Sequence, residues 1–73
     1  MRSEIARLNR HLGLHIFKPG YPTGRGQYMI LDCEREAALA ILKDAGFDAR
    51  PLLGVGHDYN YGGSLYTITR EVS

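Results

Sequence analysis

The chain has 73 residues, a formal net charge of +1 and a single cysteine, Cys33. That length suits one domain over residues 1–73, one that buries only about 60% of its unfolded surface; the lone thiol excludes an intrachain disulfide and suits a reducing, cytoplasmic setting. A charge this near zero gives no bulk attraction to nucleic acid, and the longest apolar run, Ala37 to Leu42, falls far short of the roughly 20 residues that cross a bilayer, so no membrane partner is expected.

The first predicted element is a helix. Ser3 is its N-cap candidate, and Ile5, Leu8 and Leu12 recur at helical spacing while Arg7, Asn9 and Arg10 face away. Gly13 is the stop, because glycine takes a left-handed φ without a Cβ clash. Leu14-His15-Ile16-Phe17 reads as a short strand. The next nine residues, Lys18 to Gly26, hold three glycines and two prolines, which no regular element tolerates. Gln27 to Leu31 is a strand with aromatic and branched side chains, so the two strands are expected to form a hairpin with a long tip.

Asp32 is the cap expected for a second helix, with Glu34 and Glu36 complementing its positive end. Ala37, Ala38, Ile41, Leu42 and Ala45 make its apolar face, and Gly46 ends it. A third strand is expected from Phe47 to Val55, centred on Leu52 and Leu53. Pro51 cannot donate to a ladder, so this strand is an edge or carries a bulge. Gly54 to Gly63 is a second tip rich in glycine and tyrosine, and Ser64 to Val72 is a closing strand with Tyr66 and Ile68 on one face.

The resulting class is α+β in the order α-β-β-α-β-β, with one antiparallel four-stranded sheet and two helices on one face. Path-tracing on that scheme sends the two tips to opposite ends of the sheet. The tips still hold the candidate partner-binding residues: Tyr21, Arg25, Tyr59, Asn60 and Tyr61. Tyrosine offers a large amphipathic contact at low entropy cost, and glycine and asparagine let the backbone adapt, a mix that binding loops favour. The alternative is that these tyrosines fold back on the sheet.

A basic face on the first helix, with Arg2, Arg7 and Arg10, joined by Lys18 and Arg25, is a phosphate-contact candidate. The uneven charge supports it: residues 1–26 sum to +4 and residues 27–73 to −3. Tyr28 and Tyr66 are candidates for base stacking. Catalytic, metal and cofactor chemistry find no signature. His11 and His15 are spaced for a metal only if they share a helical turn, and Gly13 stands between them. Cys33 is flanked by Asp32 and Glu34, which oppose a thiolate. Neither tip has a phosphate-loop order of residues.

The stretch from Tyr28 to Arg50, YMILDCEREAALAILKDAGFDAR, resembles the strand–helix–strand half of ACT-type amino-acid-binding domains. That resemblance implies a regulatory ligand-binding build, but the family's glycine-containing ligand loop has no counterpart here. In size and build the chain is also similar to the small accessory proteins of phages and mobile elements, anti-CRISPR inhibitors among them. The leading expectation is therefore a non-enzymatic protein-binding domain that docks through its tyrosine tips. Its basic helix face would steer it to an acidic partner, such as a nucleic-acid-handling host complex. The alternatives are a small nucleic-acid-binding module and an ACT-like regulatory domain, and homodimerisation would enlarge so small a core.

Overall fold

The computed structural model describes residues 2–52 and 57–71. In chain order the elements are helix α1 (Arg2–Leu12), strand β1 (Gln27–Leu31), a 3-10 turn (Asp32–Glu34), helix α2 (Arg35–Asp44) and strands β2 (Phe47–Pro51), β3 (His57–Asp58) and β4 (Gly63–Arg70). Two helices and an antiparallel four-stranded sheet are present, as expected. Both helices stop at glycines with left-handed backbone, Gly13 at φ 71° and Gly46 at φ 88°. No helix among the described residues is long and apolar enough to cross a membrane.

Strand β4 is the spine. β1 pairs along one of its edges, from Gln27↔Thr67 to Leu31↔Gly63. β2 and β3 share the other edge, β2 opposite residues 66–70 and β3 opposite Gly63 and Ser64. The expected third strand is present as β2 up to Pro51; its remainder from Leu53 to Val55 lies outside the described residues, as does Val72. Bonds from Glu71 N to Gly46 O and from Leu52 N to Leu65 O set the phase of the β2 ladder. In that phase Pro51 faces the free edge, where its missing N–H costs no bond.

The segment Leu14 to Phe17 joins the sheet through one bridge pair, Phe17↔Met29. The next position in that register sets Pro19 opposite Gln27, and proline has no N–H to give. The ammonium of Lys18 takes its place, donating to the carbonyl oxygens of Gln27 (3.2 Å) and Gly24 (3.3 Å). Two residues before Phe17, the N–H of His15 leaves the ladder and donates to Glu34 Oε1 at 2.9 Å. The backbone of Ile16 points away from β1, and the side chain of Asn9 closes it: Ile16 N donates to Oδ1 at 3.0 Å and Nδ2 donates to Ile16 O at 2.7 Å. Asn9 thus faces the sheet, not solvent as the helical spacing suggested.

Asp32 does not cap α2. It opens the 3-10 turn, and neither this turn nor α2 has a side-chain cap bond. Two of the three acids expected at the helix start are taken by histidines: the Asp32 carboxylate pairs with His57, and Glu34 Oε2 lies 2.6 Å from His15 Nδ1. The buried face of α2 is Ala38 and Leu42, with Leu39 and Ile41 partly covered; Ala37 and Ala45 are exposed.

Strand alternation divides the sheet. The inner face carries Tyr28, Ile30, Tyr66, Ile68 and Phe47, which form one buried cluster with Ile5 of α1 and Ala38 and Leu42 of α2. Met29 and Leu65, paired across β1 and β4, lie on the outer face and are buried too. Near this pair Gly63 leaves no room for a side chain, since a Cβ there would collide with the Ile30 carbonyl.

The Asn9 amide is the sole cover for the Ile16 backbone groups among the described residues. Asn9→Ala strands a half-buried donor and acceptor and is expected to lower stability by about 1–3 kcal/mol, read as a lower urea midpoint at unchanged m-value.

Candidate functional site

The β3–β4 turn is built by one aspartate. Asp58 Oδ1 accepts from Asn60 N (2.9 Å) and Tyr61 N (3.3 Å), and the Asp58 carbonyl accepts from Gly62 N (2.9 Å). This is an Asx-type turn, closed by Gly62 at φ 74°. Its far side is tied to the end of β1, where Asp32 N donates to Gly62 O at 2.9 Å. His57, held by the Asp32 carboxylate, meets the edge of the Tyr59 ring at 4.5 Å between centroids. Tyr59 itself projects into solvent, 88% exposed.

The first tip folds back to meet this turn. Gly20 N donates to Tyr61 Oη at 3.1 Å, and Tyr21 donates its hydroxyl to Asp58 Oδ2 at 3.0 Å. Tyr61 stands between Phe17 and Tyr21, with ring centroids at 5.3 and 6.2 Å and planes tilted by 57° and 54°. Phe17 shares the outer face with Met29, since directly paired residues point the same way. The two tips therefore meet over the outer face. Path-tracing put them at opposite ends because it let each extend along its strands. Instead the first tip turns back, drawn over an apolar surface that the helices do not reach.

Four of the five tip residues come together: Tyr21, Tyr59, Asn60 and Tyr61. Tyr21 and Tyr61 are 40% and 39% exposed, half engaged in the ring stack. Arg25 is not with them. Its neighbour Gly26 accepts from Ile68 N, five residues along β4 from Gly63, a distance of roughly 16 Å at about 3.3 Å per residue. Lys18 is occupied by loop carbonyls and lies 4.9 Å from the Tyr28 ring centre, so it is a loop fastener and not part of a free basic face. Arg7 and Arg10 are exposed on α1 and form no ion pair among the described residues. Tyr28 and Tyr66 are buried in the inner cluster and have no face to offer a base.

His15, beyond the end of α1, is engaged by Glu34, and His11 is exposed on α1. Among the described residues no group of three or more His, Cys, Asp or Glu is placed to hold a metal. Cys33 is exposed in the 3-10 turn. Beyond the tips, Asp48, Arg50, Thr67 and Thr69 line a polar groove on the outer face, where Arg50 Nε pairs with Asp48 Oδ2 at 2.8 Å.

Asp32, His57 and Asp58 shape the site, and sequence reasoning assigned Asp32 elsewhere, as a helix cap. The order Asp58-Tyr59-Asn60-Tyr61-Gly62 carried the signal for Asp58, since Asp and Asn followed by glycine is turn chemistry. The Asp32–His57 pairing spans 25 residues and has no local signal.

Electrostatics follow the same bonds. Burial among the rings, then the bond to the Asp58 carboxylate, raises the Tyr21 pKa above the ordinary phenol value. The bonds from His15 hold Glu34 below the usual carboxylate range. No family model matches the chain, and no curated protein or solved structure matches it.

Asp58→Asn keeps the Oδ1 acceptor that builds the turn and removes the charge facing Tyr21. The Tyr21 pKa is expected to fall while staying above the ordinary value, because burial is the larger cause. Alkaline titration followed by ring-carbon chemical shifts reads this directly.

Proposed function

We propose that the chain is a non-enzymatic protein-binding domain that docks through the Tyr59 turn, in the manner of a small cytoplasmic phage or mobile-element inhibitor that occupies a host complex. The observation that carries this reading is a fully projecting aromatic ring on a fixed backbone. Tyr59 is 88% exposed, yet its turn is held by the Asp58 bonds, the Asp32–Gly62 bond and the His57 contact. An exposed apolar side chain on a mobile loop pays ordering entropy when it binds; one on a pinned turn has already lost it. Tyrosines are common anchors at the centre of interfaces for this reason. Tyr21 and Tyr61 flank it and supply rim contact and hydroxyl groups.

A second reading is kept by one observation, the unpaired Arg7 and Arg10 on α1. A nucleic-acid module would use that helix, since the tip surface carries carboxylates that repel phosphate. In that case a fluorescent single strand binds at low salt, release is steep with added salt, and Arg7→Ala weakens binding while Tyr59→Ala does not.

For the protein-binding reading, Tyr59→Ala is expected to weaken capture of the partner at least tenfold, the effect of losing about 1.4 kcal/mol or more, while the loss of its His57 contact lowers the urea midpoint only slightly. Tyr61→Ala is expected to lower the midpoint, because that ring packs on Phe17. Full capture by Tyr59→Ala, in a pull-down read by mass spectrometry, contradicts the reading.

A further inference from the structure

The tip surface has a chemistry of its own, distinct from that of the helices. We propose that it recognises an arginine side chain of a protein partner, a proposal that rests on the reading of the Tyr59 turn as a docking surface and names what it docks.

Three observations converge. First, the surface offers aromatic faces, with Tyr59 almost fully exposed and Tyr21 and Tyr61 exposed in part. The π face of an aromatic ring is electrostatically negative and attracts a cation. Second, two carboxylates frame these rings. The Asp32 side chain is 56% exposed and gives only one oxygen to His57. Asp58 accepts three bonds, from Asn60 N, Tyr61 N and the Tyr21 hydroxyl, out of about four acceptor sites on a carboxylate. Each acid therefore keeps an open acceptor position. Third, no lysine or arginine among the described residues neutralises them. Lys18 is fastened to Gly24 and Gln27, and Arg25 sits near Ile68 at the other end of β4. His57, bonded to Asp32, is the local base.

Charge complementarity therefore selects a cation and disfavours phosphate. Arginine suits the arrangement better than lysine. Its planar guanidinium stacks on a tyrosine face while its N–H fork reaches a carboxylate, and it is more weakly hydrated than an ammonium. The basic residues Arg7 and Arg10 belong to α1, whose buried residue Ile5 packs on the inner face. The acidic, aromatic surface is on the outer side. An acidic partner would be drawn to the helix and an arginine-bearing one to the tips.

The test is a titration of the full 15N-labelled chain with acetylated Gly-Arg-Gly amide at millimolar concentration. The same peptide with lysine, and with citrulline as a neutral isostere of arginine, are the controls. Arginine peptide is expected to shift the amides of Tyr59, Asn60, Tyr61 and Asp32, binding roughly fivefold or more tightly than citrulline peptide. Asp58→Asn and Asp32→Asn are each expected to weaken it by about threefold or more, and the lysine peptide to fall between. Two variants are needed so that a folding defect in one leaves the other informative. Equal shifts from citrulline peptide, shifts confined to α1, or no shift from any peptide overturns the proposal. The two readings fail separately. If Tyr59→Ala loses partner capture but the arginine peptide causes no shift, the docking surface stands and arginine recognition falls. If capture also survives Tyr59→Ala, both fall.

Discussion

Met29 has no exposed surface, and it lies on the face of the sheet away from the helix-lined cluster. Leu65, its partner across β1 and β4, is buried beside it. The two helices cover one face of the sheet; on the other, the apolar patch around Met29 and Leu65 must be closed by the remaining chain. Here that is the glycine-rich tips. Phe17 flanks Met29, Tyr61 stacks on Phe17, and Tyr21 stacks on Tyr61. A buried aliphatic side chain of this size is worth about 1.5–3 kcal/mol relative to leaving it in water, a large share of a small domain's stability. The same demand brings together two loops that the chain path leaves apart, and the turn bearing Tyr59 becomes rigid as a result.

The edges of the sheet are closed by side chains where strands are too short to do it. Pro19 leaves the Gln27 carbonyl without a donor, and Lys18 supplies one. Asn9 takes both backbone groups of Ile16. Glu34 takes the N–H of His15 along with its imidazole. Each substitution replaces a ladder bond with a side-chain bond. The chain thereby ends its outer strand after one bridge pair with the Ile16, His15 and Gln27 backbone groups still bonded. On the opposite edge Pro51 faces outward, where it also blunts pairing with another chain.

Local features were legible in the sequence and long-range ones were not. Gly13 and Gly46 end helices because the left-handed conformation is a property of single residues, and Pro51 marks an edge for a similarly local reason. The alternation of Tyr66 and Ile68 against Leu65 and Thr67 placed β4 correctly because the period of two is carried by consecutive residues. Asp32 and Asn9 were misplaced by the same local rules. A capping acid was bonded instead by His57, far along the chain, and an amide on the polar side of a helical wheel was needed by Ile16. Of the site itself, the composition of the tips was readable and their meeting was not. Tyr59 and Tyr61 look alike in sequence, but Tyr61 is held by Phe17, Tyr21 and the Gly20 N–H, while Tyr59 touches His57 and stays 88% exposed.

The central claim is that the two tips close on one another over the outer face. The most direct measurement is a nuclear Overhauser spectrum of the aromatic side chains in solution. Cross-peaks between the rings of Tyr21 and Tyr61, and of Tyr61 and Phe17, are expected, with the Met29 methyl group protected from a soluble relaxation agent. Absent cross-peaks together with a Met29 methyl open to the agent would contradict the account.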